Sequence, residues 1–154
     1  MIVAVPKESF PGERRVALIP SLAGNLVKAG LEVVVERGAG FEAGFTDQAY
    51  TDAGTRLADQ SGDVASADVV LEIHAGGAGS QGLDRYREGQ VVIGMTDALG
   101  SPETARQAAQ QGVTLFGLEL LPRITRAQVM DVLSSQATIA GYRAVLLGAE
   151  TLPK

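Results

Sequence analysis

Short apolar runs rich in β-branched residues recur along the chain, and segments with helix signals separate them. The runs are Ile2–Val5, Leu31–Val35, Asp68–Ile73, Gln90–Met95 and Val113–Leu118, with a weaker one at Thr55–Ala58. Near-continuous apolar strands are typical of a parallel sheet that helices cover on both faces. The alternation therefore predicts an α/β fold: an open, doubly wound parallel sheet, flavodoxin-like, with right-handed crossovers.

The segments between these runs contain residues that typically begin and end helices. Ser21, Thr46 and Ser101 are candidate N-caps, and Ser101 precedes a proline and a glutamate, which is a typical first turn. Glycines follow each predicted helix, at Gly30, Gly54 and Gly112.

The end of the chain predicts one long helix. Thr125 and Gln128 have the spacing of a capping box, and the helix would run from there to about Glu150. A helix of this length at the end of a small domain has few partners within it. The sequence therefore predicts an α/β domain, 1–120, and a segment, 121–154. We expect the helix of this segment to bridge to another domain and to pack against a second copy.

Composition and charge exclude several classes of function. The formal net charge is −5, with 13 basic against 18 acidic residues, which disfavours binding to nucleic acid. There are no cysteines and one histidine, so we expect neither disulfides nor a metal site. No stretch approaches the roughly 20 apolar residues of a membrane-spanning helix, and the N-terminus lacks the pattern of a signal peptide.

Two glycine-rich segments follow predicted strands. The segment 77–82 matches G-x-G-x-x-G, the pattern of a dinucleotide-binding turn, but only six residues, LDRYRE, follow before the next glycine. A helix that holds a pyrophosphate does not fit there, so a surface loop is the favoured interpretation of the 76–82 segment. The second cluster, Gly38 to Gly44, misses the spacing and predicts a turn.

Charged residues after the first and fourth strands leave two interpretations open. Arg14 and Arg15 sit in the loop after the first strand, where they can bind a carboxylate or phosphate, or pair with Glu8 and Glu13. His74 ends the fourth strand, at the edge where α/β sheets bind ligands. It has no evident partner in the sequence, so it is a candidate acid or base, or a structural residue.

A polar cluster precedes and opens the predicted long helix. Arg123, Gln128, Asp131 and Ser134 supply fixed donors, an amide, a carboxylate and a hydroxyl within twelve residues. Spacing of three would place the last three on one face. Such a set suits a polar planar ligand such as a carboxamide, and it equally suits helix capping with a solvated face.

Two segments resemble a known family. LPRITRAQVMDVLSSQATIAGYRA is similar to a stretch of the NAD(H)-binding component, the alpha subunit, of proton-translocating NAD(P) transhydrogenases. The opening VAVPKESFPGERRVALIP resembles both that family and the related alanine dehydrogenases. The resemblance covers about residues 1–150, and the late segment is the more specific of the two.

The resemblance implies a concrete function. Arg123, Gln128 and Asp131, with Ser134 beside them, would contact the nicotinamide end of NAD(H) and place it for hydride transfer to NADP(H) on another component. The partners would be the NADP(H)-binding and the membrane-embedded, proton-translocating components, in the cytoplasm at the inner membrane, and the subunit would be a homodimer. Relatives continue into a Rossmann domain, which this chain lacks, so we expect the chain alone to be inactive and to bind NAD weakly or not at all.

Two alternative functions remain. In the first, the chain is the substrate domain of an alanine dehydrogenase-like enzyme, in which Arg15 would match an arginine that holds a carboxylate. Those enzymes use a lysine after the fourth strand and a histidine after the fifth. Here the corresponding regions are 72–74 and 95–97: the lysine is missing, and the only histidine, His74, is in the wrong loop, which disfavours alanine oxidation. In the second, the chain is a non-catalytic α/β interaction module, and the late polar cluster merely caps a helix.

Overall fold

A computed structural model describes residues 1–59, 61–75 and 83–152, and it divides the chain into two compact units. The first unit is Met1–Gly117, and its described residues form six strands and four α-helices. The strands are β1 (Ile2–Val5), β2 (Glu32–Glu36), β3 (Arg56–Ala58), β4 (Val69–His74), β5 (Val91–Met95) and β6 (Thr114–Gly117). The helices are α1 (Pro20–Lys28), α2 (Asp47–Asp52), α3 (Ser61–Ala65) and α4 (Pro102–Gln110).

The six strands form one parallel sheet, as the sequence predicts. Their order is β3-β2-β1-β4-β5-β6, so β1 lies between β2 and β4 at the point where the order reverses. This is the order of the six-stranded dinucleotide-binding fold, whereas flavodoxin-like sheets have the order 2-1-3-4-5. The doubly wound parallel architecture is confirmed, and its switch point lies between β1 and β4.

Helices cover both faces of the sheet because the strands are apolar on both sides. Val5, Val33 and Val35 share one face, where they pack against α1 and Tyr50 of α2. Tyr50 is fully buried and its hydroxyl donates to the Leu18 carbonyl at 2.7 Å. The opposite face packs against α3 and α4, and its strand residues are Ala4, Val34, Val70 and Val92.

In the first unit, the structure corrects the predicted start of one helix, α1. Ser21 is inside α1 and not its cap: Pro20 occupies the first turn, since its missing N–H costs nothing there. Ser101 occupies the N-cap position of α4, but its side chain makes no capping hydrogen bond. Thr46 does cap α2, where its hydroxyl accepts from the Ala49 N–H at 3.2 Å. The short helix α3 was not predicted from the sequence.

The second unit begins at Leu118 and holds a 3-10 helix, Thr125–Met130, followed by the long helix α5 (Val132–Thr151). The predicted capping box is therefore wrong. Thr125 caps nothing, and the N-cap of α5 is Asp131, whose carboxylate accepts from the Ser134 N–H at 2.9 Å. An aspartate that satisfies an N3 donor is a stronger cap than the threonine upstream, so the α-helix starts several residues later than predicted.

No helix in the described ranges is long and apolar enough to span a membrane.

Candidate functional site

The carboxyl ends of β1 and β4 lie side by side at the switch point of the sheet. In open α/β sheets, ligands bind in the crevice outside these ends. The loop that follows β1 brings Glu8, Phe10 and Glu13 to this edge, and β4 brings Glu72 and His74. These side chains belong to two neighbouring clusters.

The first cluster joins Arg15, Glu13 and His74. The guanidinium of Arg15 binds the Glu13 carboxylate in a bidentate pair, with Nε–Oε1 at 2.8 Å and Nη2–Oε2 at 2.6 Å. Oε2 of the same Glu13 carboxylate lies 2.8 Å from Nε2 of His74. The side chain of Glu13 is 7% exposed. Of the two interpretations of the β1 loop, the structure therefore favours the internal pair for Arg15. At the surface, Nε of Arg14 lies 3.6 Å from Oε2 of Glu42.

His74 has partners that the sequence did not reveal. Its ring stacks on Phe10 with ring centroids 4.4 Å apart, and Nε2 contacts Glu13. Nδ1 is buried, and the described residues offer it no hydrogen-bond partner. The contact with Glu13 joins residues 61 positions apart, which is why no local pattern predicts it. His74 thus anchors the β1 loop to the end of β4.

The Arg15 guanidinium, with the backbone N–H groups of the loop, lowers the pKa of Glu13 to about 2. A lowered folded-state pKa stabilises the protein above the unfolded value, 4.5, and the stabilisation is lost as pH falls from there to about 2. We predict that Glu13→Gln lowers the free energy of unfolding at pH 7, and that the difference from the unaltered chain shrinks across that window. Urea unfolding at a series of pH values measures this. A difference independent of pH between 7 and 2 would contradict it.

The second cluster is a buried triad of Glu72, Arg85 and Tyr86. Glu72 is 4% exposed, although it lies in an apolar strand. Arg85 donates from Nη2 to its Oε2 at 2.7 Å, and the Tyr86 hydroxyl donates to the same oxygen. The Arg85 guanidinium also lies over the Tyr86 ring, 5.0 Å from its centroid. Burial raises the pKa of Glu72 and of Tyr86, while Arg85 opposes both shifts.

Glu8 connects the two clusters. Its carboxylate accepts from the backbone N–H of Ile73 at 2.6 Å and from that of His74 at 3.4 Å. These bonds fasten the β1 turn to the end of β4, where the ladder to β5 is irregular. Burial is the largest influence on Glu8 and raises its pKa, against the lowering effect of the two backbone donors.

A cleft of about 570 Å³ opens beside the triad. Its polar wall consists of Lys7, Glu8, Ser9, Glu36, Glu72, Arg85, Tyr86 and Gln90, and its apolar wall of Pro6, Val64, Ala65 and Val70. Glu36, Glu72, Arg85 and Tyr86 were not predicted as site residues. A usable signal was present, because a glutamate in the middle of the apolar run DVVLEI is rarely buried without a partner.

The late polar cluster lies in the second unit. Asp131 and Ser134 are joined by two hydrogen bonds, from the Ser134 N–H at 2.9 Å and from its hydroxyl at 2.6 Å. The pKa of Asp131 is lowered by these bonds and by the charge of Arg123. Gln128 belongs to the 3-10 helix, and its carbonyl accepts from the Asp131 N–H at 3.2 Å. Asp131 is not helical, so the predicted common α-helical face for Gln128 and Asp131 is wrong.

The glycine segment 76–82, including the G-x-G-x-x-G match, lies outside the described residues. The other cluster forms the predicted turn. Gly38 and Gly44 have φ values of 75° and 86°, a conformation that favours glycine, and they flank the 3-10 helix Phe41–Ala43.

A family model described as the alanine dehydrogenase/PNT N-terminal domain matches residues 4–140. The chain belongs to this family. The match covers the sheet and helices of the first unit and the polar cluster at the start of α5. The resemblance of the opening and late segments to this family is therefore confirmed.

Individual members of the family are similar over nearly the whole chain. An NAD(P) transhydrogenase subunit alpha protein of Rhodospirillum rubrum is 42% identical over 153 residues, which cover 97% of this chain and 40% of that protein. The crystal structure of transhydrogenase from Sinorhizobium meliloti superposes with a TM-score of 0.91 at 44% identity and covers 100% of this chain and 46% of that one. The alanine dehydrogenase of Bacillus subtilis is 30% identical and covers 100% of this chain and 39% of that protein. The chain thus spans less than half the length of these relatives.

Proposed function

We propose that this domain belongs to the NAD(H)-binding component of a transhydrogenase, which transfers hydride between NAD(H) and NADP(H). The observation that carries the proposal is the difference in similarity: 42% identity to a transhydrogenase subunit against 30% to an alanine dehydrogenase. The internal pairing of Arg15 with Glu13 supports it, because this arginine already has a bidentate partner and is less available to a carboxylate substrate.

In this proposal the loop before α5 contacts the nicotinamide end of NAD(H). The donor set fits a carboxamide: Arg123 donates, Gln128 donates and accepts, and Asp131 accepts. Ser134 holds the Asp131 carboxylate by two hydrogen bonds, so its direction is fixed before a ligand arrives. The cofactor supplies the redox chemistry, and these residues supply orientation and electrostatics.

The remaining features of the proposal concern the assembly. The complete subunit would act beside NADP(H)-binding and proton-translocating membrane components, at the cytoplasmic side of the membrane. The homodimer stays a prediction. It is supported by the composition of α5, whose apolar residues include Leu133, Ile139, Val145 and Leu146 and do not form one narrow stripe.

The test is hydride transfer by a chimeric subunit in which this chain replaces the matching 153 residues of the Rhodospirillum rubrum protein. With the partner components supplied, we expect reduction of an NADP analogue by NADH. Asp131→Asn should lower the transfer rate about tenfold, because it removes one charged acceptor. Asparagine is as good an N-cap as aspartate, so the melting temperature should not change.

The control is Glu103→Gln, which neutralises an exposed acid in the first turn of α4 and should leave the rate unchanged. Alanine-dependent reduction of NAD by the chimera, without transfer to the NADP analogue, would favour the alanine dehydrogenase alternative. Full transfer by Asp131→Asn would mean that the late cluster only caps α5, as in the interaction-module alternative.

A further inference from the structure

The cleft beside the buried triad is not used by the proposed hydride transfer. It lies in the first unit, at the switch point between β1 and β4, and it reaches the end of β2 through Glu36. Its volume, about 570 Å³, is within the range of pockets that hold small organic molecules. Position and size therefore both indicate a ligand site.

Among the described residues, the polar wall of the cleft carries more acidic than basic side chains. Three carboxylates, Glu8, Glu36 and Glu72, face two cationic side chains, and one of these, Arg85, is already bound to Glu72. Glu36 accepts from the Lys7 N–H at 2.9 Å through one oxygen. A carboxylate has about four acceptor sites, so Glu36 retains capacity for further donors. A ligand that presents hydroxyl groups suits this wall better than an anion.

The turn after β1 argues against a phosphate. A pyrophosphate at this position needs a glycine-rich turn that leads at once into a helix N-terminus. Here the turn is Pro6-Lys7-Glu8, in which proline lacks an N–H and Glu8 adds negative charge, and α1 begins only at Pro20. The phosphate-binding half of a dinucleotide site is therefore missing from this turn, although the sheet has the corresponding strand order.

A second feature of dinucleotide sites, a carboxylate at the end of the second strand, is present in this chain. In sheets of this order, a carboxylate near the end of the second strand accepts hydrogen bonds from ribose hydroxyls. Glu36 is the last residue of β2 and lines the cleft. The apolar part of the lining, which includes Val64 and Ala65 of α3, offers a surface to a ring.

We propose that this cleft binds an unphosphorylated nucleoside, with Glu36 accepting hydrogen bonds from the ribose hydroxyls. Glu8 lies at the turn where a 5′-phosphate would have to enter, and it selects against nucleotides. The site uses none of Arg123, Gln128 and Asp131, so it stands or fails independently of the hydride-transfer proposal.

The experiment is an NMR titration of the isotope-labelled chain with adenosine, 2′,3′-dideoxyadenosine and adenosine 5′-monophosphate. We expect saturable shifts of cleft amides, such as those of Lys7 and Ala65, with adenosine. The dideoxy compound should bind about tenfold more weakly than adenosine, because the Glu36 carboxylate then has no ribose hydroxyl to accept from. The monophosphate should also bind more weakly than adenosine, because Glu8 lies where its phosphate would enter. These comparisons use the unaltered chain and do not depend on a variant that folds.

Glu36→Gln should weaken adenosine binding about tenfold, because a charged acceptor becomes a neutral one. The matched control is Glu32→Gln at the other end of β2, where the side chain pairs with Arg56 at the surface, and it should leave binding unchanged. The proposal is overturned if adenosine gives no saturable shifts, if the dideoxy compound binds equally well, or if the monophosphate binds more tightly.

Discussion

Arg85→Ala is expected to destabilise the first unit by about 3 kcal/mol, because it leaves a buried carboxylate without its charged partner. Glu72 is 4% exposed, and the Nη2 of Arg85 contributes the ion pair to it at 2.7 Å. The side chain of Arg85 is 28% exposed, which places the loss at the lower end of the range for buried pairs. Urea unfolding at pH 7, followed by circular dichroism, measures the loss.

Two controls separate the buried pair from a general effect of losing an arginine. Arg106→Ala removes an exposed partner of Glu103 and should cost less than about 1 kcal/mol. The double variant Glu72→Gln with Arg85→Met should recover most of the loss, since no charge is buried and the glutamine can still accept from the Tyr86 hydroxyl. If Arg85→Ala and Arg106→Ala lowered the free energy of unfolding equally, the buried Glu72 carboxylate would not need the charge of Arg85.

Gly94→Ala is expected to destabilise the same unit by about 3 kcal/mol, near the top of the range for overpacking. A Cβ on Gly94 would lie 2.4 Å from the Glu72 carbonyl oxygen and 3.0 Å from the Ala75 Cβ. The nearest atom belongs to the backbone and cannot rotate away. Between Leu71 and His74, the register of β4 against β5 shifts, and Gly94 faces this irregular stretch.

The matched substitution for Gly94→Ala is Gly141→Ala, which adds the same methyl group to α5 and meets nothing within 4 Å. We expect it to raise the stability of α5 by about 0.5–1 kcal/mol, since alanine has the higher helix propensity. Thermal melting of both variants gives the comparison. Gly94→Ala with an unchanged melting temperature would mean that β4 can move away from β5 at little cost.

Much of the candidate site could not be predicted from local patterns. Arg15 and His74 are recognisable by residue type and position, but Glu13, the carboxylate that joins them, was predicted only as a partner of the arginines. The pairing of Glu13 with His74 spans 61 residues and arises because β1 and β4 are neighbours in the sheet. Which strands are neighbours is a property of the folded chain. The sequence therefore gives no signal for the stacking of His74 on Phe10, or for the hydrogen bonds that Glu8 accepts from the end of β4.

The late polar cluster, by contrast, could be recognised from the sequence. Its members are apparent from the sequence, and the bond between Asp131 and Ser134 follows from a spacing of three residues. The predicted start of α5 was nevertheless misplaced, because Thr125 and Asp131 are both acceptable caps. The competition between them is decided by which N–H groups each side chain reaches, and Asp131 reaches the Ser134 N–H.

Local patterns in the chain were enough to establish the parallel α/β architecture, the six strands and the family, because apolar periodicity, turn residues and family segments can all be read along the chain. The strand order, the Glu72–Arg85–Tyr86 triad and the cleft beside it became apparent only in three dimensions. The physical reason is that a charge is tolerated inside a sheet only when another segment of the chain supplies its partner, and packing of the folded chain selects that partner.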